Sequence, residues 1–297
     1  FCRLFCRNRT IIIMKRSIRQ VLTDAASSKS DDIWLVTPET EKSFSWQDTQ
    51  KRAETIACYL QWARLSKGAS VAIAAPNGAA ASFAFLGVVY GGFRATPLNL
   101  VAGVKTLSFV LNHSKTELIL CADDSRDLVD EAIAGLVESG EKMPQIISMD
   151  VDDGPRWNEA NITPIKPFDL DNPSADTIGL LMYTSGTTGV PKGVLLSHAN
   201  LIAAGTNVAV AHELTPADTS MCVLPIYHIN GLCVTVMGSV VSSSGLVMPR
   251  RFSARYFWAQ MHTYKCSWFS AVPTLFAYLL NDDAEPVLDR DRLRFAR

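Results

Sequence analysis

The chain has 297 residues, of which 48% are hydrophobic, and it carries 28 basic and 29 acidic side chains. This length is enough for about two domains of roughly 150 residues each, and the hydrophobic content excludes intrinsic disorder. The formal net charge of −1 argues against nucleic acid or an anionic membrane as the main partner, because both favour a basic surface.

An amino-terminal stretch precedes the first predicted element. The chain begins at Phe1 rather than Met, and the three isoleucines at 11–13 are too few for a signal peptide. We expect residues 1–13 to be a leader or an extension from the gene model, with a natural start at Met14.

Apolar periodicity predicts alternating strands and helices through the first half of the chain. A near-continuous apolar run at 70–75, bounded by Gly68 and a turn at 76–78, is typical of a strand buried on both faces. Residues 46–62 carry apolar side chains at helical spacing after Ser45, which can serve as an N-cap. The predicted strands are at 33–37, 70–75, 117–121 and 145–149, and the predicted helices are at 46–62, 79–90, 103–112 and 128–136.

A polar stretch with prolines at 155, 164, 167 and 173 interrupts this pattern, and we interpret it as a surface connection. A strand at 178–183 follows, and strand, helix, strand order resumes over 221–272. Strands separated by helical segments of about 10–15 residues imply parallel sheets with helices on both faces. The predicted fold class is α/β, with a first subdomain at 14–170 and a second at 171–297.

The cysteines predict a reducing compartment, and the cysteines and histidines together predict no metal site. The seven cysteines are odd in number, form no Cys-x-x-Cys pair and lie mostly in apolar segments. This usage is typical of small core residues. The five histidines are scattered, which argues against zinc. No apolar run of about 18 residues occurs, so we predict a cytoplasmic protein without a membrane span.

Several polar and aromatic residues are interpreted as structural rather than functional. A histidine that opens a helix, an acidic pair at a helix start and aromatic residues within elements all have simple capping or packing roles. These residues are His198, Asp123, Asp124, Trp258, Tyr264 and Trp268.

The most informative segment is the loop at 184–194, Thr-Ser-Gly-Thr-Thr-Gly-Val-Pro-Lys-Gly-Val, which lies between two apolar strands. Its hydroxyl side chains, its glycines and Lys192 allow N–H groups, O–H groups and one cation to converge on an anion. It differs from the common GxxxxGK phosphate loop, because Pro191 occupies the second glycine position. A polar hairpin without a ligand is the alternative, but this string of residues favours a phosphate site.

This loop resembles the signature loop of the adenylate-forming superfamily, which includes acyl-CoA synthetases, aryl-CoA ligases, luciferases and the adenylation domains of peptide synthetases. Three other segments support the resemblance: a PxxHxxG match at 224–231, a Val-Pro-Thr turn within 271–274, and a glycine-rich helix end with a proline-asparagine turn at 87–99. The likeness spans residues 21–297. Within the superfamily the sequence is most similar to fatty acyl-CoA ligases and to oxalate- and coumarate-CoA ligases.

The resemblance implies a two-step reaction on a small-molecule substrate, a carboxylic acid that is a fatty acid or a related acid. The carboxylate attacks the α-phosphorus of ATP to give acyl-AMP and pyrophosphate, and the CoA thiol then displaces AMP. ATP and CoA would be co-substrates, and Mg²⁺ would bridge the phosphates. Chemistry of this kind depends mostly on positioning and charge stabilisation.

The same resemblance assigns roles to individual residues. Lys192 and His228 would be catalytic, with His228 beside the carboxylate and the α-phosphate, and Asn230 and Gly231 would line the acyl pocket. Arg251 occupies a position where coumarate-type ligases place a basic residue against CoA, although a solvated surface arginine is an equal alternative. The residues that would hold the ATP phosphates are Thr184, Ser185, Gly186, Thr187, Thr188, Gly189 and Lys192.

The superfamily also has segments that do not occur before Arg297. They include the segments that hold adenine and ribose, a Thr-Glu segment that helps to bind Mg²⁺, and a mobile carboxyl-terminal domain with a catalytic lysine. The resemblance therefore implies the N-terminal part of an acyl-CoA ligase with an incomplete second subdomain, and we expect the isolated chain to be inactive. Two alternatives stay open: a module that loads a carrier protein, and a truncated paralogue that acts as a binding domain.

Overall fold

The structure, a computed structural model, describes residues 15–138, 140, 142–160, 172–184, 190–281 and 292–297. Its strands are β1 (Ile33–Thr37), β2 (Lys42–Ser45), β3 (Ser70–Ala74), β4 (Arg94–Pro97), β5 (Thr116–Ala122), β6 (Gln145–Asp150), β7 (Gly154–Pro155), β8 (Ile178–Thr184), β9 (Lys192–Ser197), β10 (Thr219–Met221), β11 (Gly245–Val247), β12 (Trp268–Phe269) and β13 (Phe295–Ala296). Its helices are α1 (Ile18–Ser28), α2 (Trp46–Trp62), α3 (Ala79–Tyr90), α4 (Val104–His113), α5 (Arg126–Glu138), α6 (His198–Ala211), α7 (Met237–Ser242), α8 (Ala254–Thr263) and α9 (Pro273–Leu280). A π-helix at Asn230–Val236 precedes α7.

Within the described residues, the strands form one six-stranded and one seven-stranded sheet. The six-stranded sheet has the order β13-β12-β10-β11-β1-β2, and the seven-stranded sheet has the order β7-β6-β5-β3-β4-β8-β9. Neighbouring strands are parallel except for the pairs β1–β2, β6–β7 and β8–β9. The predicted α/β class with parallel-rich sheets is confirmed.

The main core lies between the two sheets, where α1, α2, α3, α6 and α7 pack. Because side chains alternate along a strand, Val71 and Ile73 of β3 join this core, whereas Ala72 and Ala74 pack against α4 and α5 on the outer face. A third cluster around Phe257 of α8 covers the outer face of the six-stranded sheet. The molecule therefore has three helical layers separated by two sheets.

The central helix α3 covers the residues that the sequence predicts, 79–90. It contains no charged side chain, and all of its residues are buried. A helix that is apolar on every side is stable only where other elements surround it. Gly87 makes one of these contacts close, because a Cβ atom at this position would lie 2.5 Å from the Cβ of Ile56 in α2.

The other predicted elements agree with the structure to within a few residues. The helix predicted from residue 103 begins at Val104, because Gly103 has a positive φ of 83° and acts as the N-cap. The structure also contains α1, which the sequence analysis does not predict. Two sequence signals mark it: its buried residues, Ile18, Val21, Leu22, Ala25 and Ala26, follow helical spacing, and a capping box between Ser17 and Gln20 marks its start.

Each sheet takes strands from both sides of the predicted subdomain boundary at residue 170. β1 pairs with β11, and β8 pairs with β4. The division into 14–170 and 171–297 follows the proline-containing stretch, much of which lies outside the described residues, and it stays a prediction. The predicted leader at 1–13 also lies outside the described residues.

The structural role predicted for His198 is confirmed. Its side chain is fully buried, and its Nδ1 accepts a hydrogen bond from the Ile18 N–H at 3.0 Å. Burial lowers the pKa of His198 to about 4, so the ring is neutral and can act as this acceptor. The histidine therefore ties the start of α6 to the start of α1.

The acidic pair and the aromatic residues are likewise structural. Asp123 forms an ion pair with Arg156, and Asp124 forms one with Arg250, each at 2.6 Å. The aromatic residues of this group, Trp258, Tyr264 and Trp268, are buried or packed against the core.

The five cysteines among the described residues are free. None of the helices in the described ranges combines the length and apolar character needed to cross a membrane.

Candidate active site

The loop that the sequence analysis singles out connects two antiparallel strands. β8 ends at Thr184 and β9 begins at Lys192, and these residues pair across the sheet. The Thr184 hydroxyl donates to the Lys192 carbonyl oxygen at 3.5 Å, and both residues are exposed. The two ends of the loop are therefore held together at the edge of the seven-stranded sheet. The predicted phosphate-binding residues outside the described ranges are Ser185, Gly186, Thr187, Thr188 and Gly189.

Gly193, directly after the lysine, packs closely against side chains of β8. A Cβ atom there would lie 2.9 Å from Cδ1 of Leu181 and 3.4 Å from Cε1 of Tyr183. Gly193 is not among the glycines with positive φ, so its backbone conformation alone does not demand glycine. The close approach lets Tyr183 pack against β9 beside the loop.

A cavity of about 260 Å³ opens beside the ends of this loop. Thr184 and Pro191 line it from the loop, and Tyr227 and His228 line it from the chain that follows β10. Its position beyond the carboxyl ends of β4, β8 and β10 is where α/β folds commonly bind ligands. The rest of the lining consists of Pro97, Asn99, Ala102, Thr106, Leu107, Val110 and Tyr183.

His228 is held by its own backbone and remains accessible from the cavity. Its N–H donates to the Pro225 carbonyl oxygen at 3.0 Å, and its carbonyl oxygen accepts from the Leu232 N–H at 3.0 Å. The cavity walls partly desolvate the ring, which lowers the pKa of His228 below its usual value. The imidazole is therefore mostly neutral at pH 7, with one N–H to donate and one nitrogen to accept.

Tyr183 and His113 form a pair in this site that the sequence analysis does not predict. The Tyr183 hydroxyl lies 2.8 Å from Nδ1 of His113, and Tyr183 lines the cavity. Burial raises the pKa of Tyr183, so its hydroxyl stays protonated at neutral pH. The one sequence feature that could have marked Tyr183 as a site residue is its position immediately before Thr184, the first residue of the loop. No sequence feature marks His113, because it lies in α4, which is 70 residues away from Tyr183 in the sequence.

Asn230 and Gly231 lie in the π-helix that follows His228. Asn230 accepts a hydrogen bond from the Ser270 hydroxyl at 2.7 Å. A Cβ atom at Gly231 would lie 2.3 Å from the Pro225 carbonyl oxygen, so glycine is needed for close approach. Neither residue is among those that line the 260 Å³ cavity. Their predicted contact with the acyl group stays a prediction.

Arg251 lies outside this cavity. It is an exposed residue between β11 and α8, and its neighbour Arg250 is the one that pairs with Asp124. A larger cleft of about 580 Å³, lined by Lys67, Gly92 and Pro173 among others, contains none of the predicted site residues. The structure thus brings together the loop ends and His228, but it does not bring Arg251 to them.

The described residues do not supply a set of metal ligands. No group of three or more His, Cys, Asp or Glu side chains within the described ranges is arranged to hold a metal ion. Magnesium favours carboxylate and phosphate oxygens in octahedral geometry. No residue within these ranges is therefore assigned to a metal.

Comparison with known proteins identifies the family. The family of AMP-binding enzymes matches residues 22–296, and the chain belongs to this family. It is 37% identical over 263 residues to a sulfoacetate–CoA ligase from Cupriavidus necator, a match that covers 86% of this chain and 50% of that protein. It is 30% identical over 242 residues to an oxalate–CoA ligase from Arabidopsis thaliana, covering 79% of this chain and 46% of that protein. The chain spans about half the length of these curated relatives.

Solved structures match the fold. A fatty acyl CoA synthetase from Mycobacterium tuberculosis superposes with a TM-score of 0.81 at 22% identity, covering 94% of this chain and 54% of that one. The inhibitor-bound N-terminal domain of FACL13 from the same organism gives a TM-score of 0.79 at 22% identity, covering 95% of this chain and 69% of that domain. The chain therefore has the fold of the N-terminal domain of adenylate-forming enzymes, and the resemblance stated from the sequence is confirmed.

Proposed function

We propose that the full-length protein containing this chain activates a carboxylic acid with ATP and transfers the acyl group to CoA. The supporting observation is that Thr184 and Pro191, at the two ends of the hydroxyl-rich loop, share one cavity with His228. Lys192 follows Pro191 and supplies a cation for phosphate oxygens. The relatives with at least 30% identity named above are acid–CoA ligases, which supports CoA as the acceptor over a carrier protein.

In the first step of this proposal, a carboxylate oxygen forms a bond to the α-phosphorus of ATP. The bond from the α-phosphorus to the bridging oxygen breaks, and pyrophosphate leaves. The protein contributes positions and charges rather than covalent chemistry. Lys192 and the loop hydroxyls balance charge on the β- and γ-phosphates. The neutral His228 donates its N–H to the carboxylate and holds it in line with the phosphorus.

In the second step the CoA sulfur forms a bond to the acyl carbon. The bond from this carbon to the AMP oxygen breaks, AMP leaves, and the thiol proton passes to solvent. Arg251 is proposed to contact the CoA phosphates, which accords with its exposed position outside the cavity. Magnesium would supply further charge stabilisation for the ATP phosphates when bound.

The acid is proposed to be short and to carry a second polar or anionic group. The cavity of about 260 Å³ is smaller than the roughly 300–1,000 Å³ typical of pockets for larger organic ligands. Asn99, Thr106 and Tyr183 give its wall polar groups. By their names, the two relatives described above act on sulfoacetate and oxalate, which are acids of this kind. A fatty acid is the alternative substrate.

The test is acid-dependent exchange of labelled pyrophosphate into ATP by the full-length protein, over a panel from oxalate, sulfoacetate and malonate to hexanoate and palmitate. The proposal expects exchange with a short polar acid, and acyl-CoA detected by mass spectrometry once CoA is added. Exchange with palmitate alone would establish the fatty acid instead. Absence of exchange with every acid, in a protein whose circular dichroism shows it folded, would refute the function.

A further inference from the structure

Asn77 lies far from His228 in the sequence, but it binds the segment that carries His228. It follows β3 in the turn before α3, and its side chain is buried. Its Nδ2 donates to the Leu224 carbonyl oxygen at 3.0 Å, and its Oδ1 accepts from the Ile226 N–H at 3.0 Å. The donor and the acceptor of one buried side-chain amide therefore both form hydrogen bonds with the backbone of the same segment, at residues 224 and 226.

This pattern replaces the hydrogen bonds that a neighbouring strand would make. The chain leaves regular structure after β10 and does not regain it until the π-helix begins at Asn230. Pro225 lies between the two residues that Asn77 contacts, and proline has no N–H with which to continue a strand ladder. A buried carbonyl and a buried N–H without partners would be costly. The Asn77 amide satisfies one of each.

Close packing also fixes this segment. The carbonyl oxygens of Leu224 and Pro225 would lie 2.5 Å and 2.3 Å from a Cβ atom placed on Gly231. The His228 N–H also bonds back to the Pro225 carbonyl oxygen at 3.0 Å. The backbone before His228 is therefore constrained from two directions, by the side chain of Asn77 and by the helix that follows.

We propose that Asn77 is a positioning residue that sets the place of His228 in the cavity. The inference deepens the proposed function and rests on it for its catalytic consequence, because His228 must contact the reacting carboxylate for its position to matter. Displacing a catalytic group by about 1 Å can cost about 100-fold in rate. Loss of the amide is expected to act on the chemical step and not on ATP affinity.

The activity test uses the full-length protein with Asn77→Ala, His228→Ala and both changes together. Asn77→Ala is expected to lower kcat of acid-dependent exchange by about 10- to 100-fold, with little change in KM for ATP. Because Asn77 acts through His228, adding Asn77→Ala to His228→Ala should cause no further loss. Effects that multiply in the double variant, or a kcat unchanged by Asn77→Ala, would overturn the proposal.

A second test does not depend on activity. Amide hydrogen exchange at Ile226 and the NMR titration of the His228 ring are measured in the wild type, in Asn77→Ala and in Asn77→Asp. Asn77→Ala should expose the Ile226 amide and move the pKa of His228 toward its ordinary value. Asn77→Asp keeps the acceptor and should protect Ile226 at least partly. An Ile226 amide and a His228 ring unchanged in Asn77→Ala would refute the proposal even if no acid supports exchange.

The matched control is Asn200→Ala. Asn200 also uses its side-chain oxygen on a backbone N–H, that of Ser197 at 3.0 Å, but it does so at the start of α6. Its loss removes one half of the capping box with Ser197 and should weaken that helix end. We expect no change at Ile226 or His228 in this variant. An equal response in both asparagine variants would show that general destabilisation, rather than positioning, moves His228.

Discussion

At the scale of single residues, Asp218 connects the last described strand to the start of β10. Its carboxylate accepts hydrogen bonds from the Arg294 guanidinium at 2.7 Å, the Ser267 hydroxyl at 2.8 Å and the Thr215 backbone N–H at 2.8 Å. Burial alone would raise the pKa of Asp218, but these donors outweigh it and hold the pKa below its usual value. The charged form therefore stabilises the folded chain.

We predict that Asp218→Asn lowers the free energy of unfolding by about 1–3 kcal/mol at pH 7, because the charge-assisted bond from Arg294 is lost. The depressed pKa fixes the sign of the pH dependence. The stabilisation is present above the unfolded-state pKa of about 3.9 and is lost as the pH falls through the lower folded-state value. Urea unfolding of both proteins from pH 7 downward should show their difference shrinking below about pH 4.

The control is a carboxylate on the surface of α5. Asp130 pairs with Arg126 at 2.8 Å, but its side chain is 49% exposed. Because water screens such a pair, Asp130→Asn should change stability by no more than about 0.5 kcal/mol. If the two variants lost equal stability, or if the effect of Asp218→Asn did not depend on pH, the account of Asp218 would be wrong.

Single residues of the site differ in how far the sequence could predict them. Lys192 and His228 lie in short contiguous motifs, and a motif keeps its residues together in any structure. Asn77 and His113 act on partners 147 and 70 residues away, Leu224 and Tyr183. Nothing in one sequence marks such distant pairs, because they depend on which strands become neighbours in the folded chain.

At the scale of elements, the apolar pattern of the sequence predicted helices and strands correctly wherever that pattern was strong. The uncharged, fully buried α3 and β3 could be predicted because burial favours apolar residues over most of their length. The π-helix at Asn230–Val236 could not be predicted. π-helices are rare, and no residue propensity marks one in a sequence. Within this π-helix, Gly231 packs closely on the Pro225 carbonyl oxygen.

The contact between α6 and α7 gives a prediction at this scale. A Cβ atom at Gly205 in α6 would lie 2.5 Å from the backbone oxygen of Met237, which cannot move aside as a flexible side chain could. Gly205→Ala should therefore lower the free energy of unfolding by about 1–3 kcal/mol or more, because the helices must separate. Urea unfolding monitored by circular dichroism measures the change.

Gly238 is the matched control on the same interface. A Cβ atom there would lie 3.5 Å from Cγ1 of Val208, which is an ordinary contact. Alanine has a higher helix propensity than glycine, so Gly238→Ala should be neutral or stabilising by up to about 1 kcal/mol. Equal destabilisation by the two substitutions would contradict close packing at Gly205 as the cause.

At the scale of the whole molecule, the site forms because each sheet contains strands from both halves of the chain. β1 and β2 join the six-stranded sheet formed mostly by later strands, and β8 and β9 extend the seven-stranded sheet formed by earlier ones. Both sheets share the central core. The alternation of elements predicted the α/β class, but it contained no information on these pairings, because sheet neighbours are chosen by long-range packing.

This arrangement of strands also explains the position of the cavity. β8 carries Thr184 to the edge of the seven-stranded sheet, and the chain after β10 of the other sheet carries His228 to it. We propose that these two parts form a single site in which ATP activates an acid, with Lys192 neutralising phosphate charge.

The most direct test is acid-dependent ATP–pyrophosphate exchange by the full-length protein in its wild-type, Lys192→Ala and Lys51→Ala forms. Lys51 is an exposed lysine on α2, away from the cavity, and controls for the loss of a surface charge. We predict exchange in the wild type and in Lys51→Ala, with a loss of about 100-fold or more in Lys192→Ala at unchanged stability. Exchange at the wild-type rate in Lys192→Ala would show that this lysine does not act on the ATP phosphates.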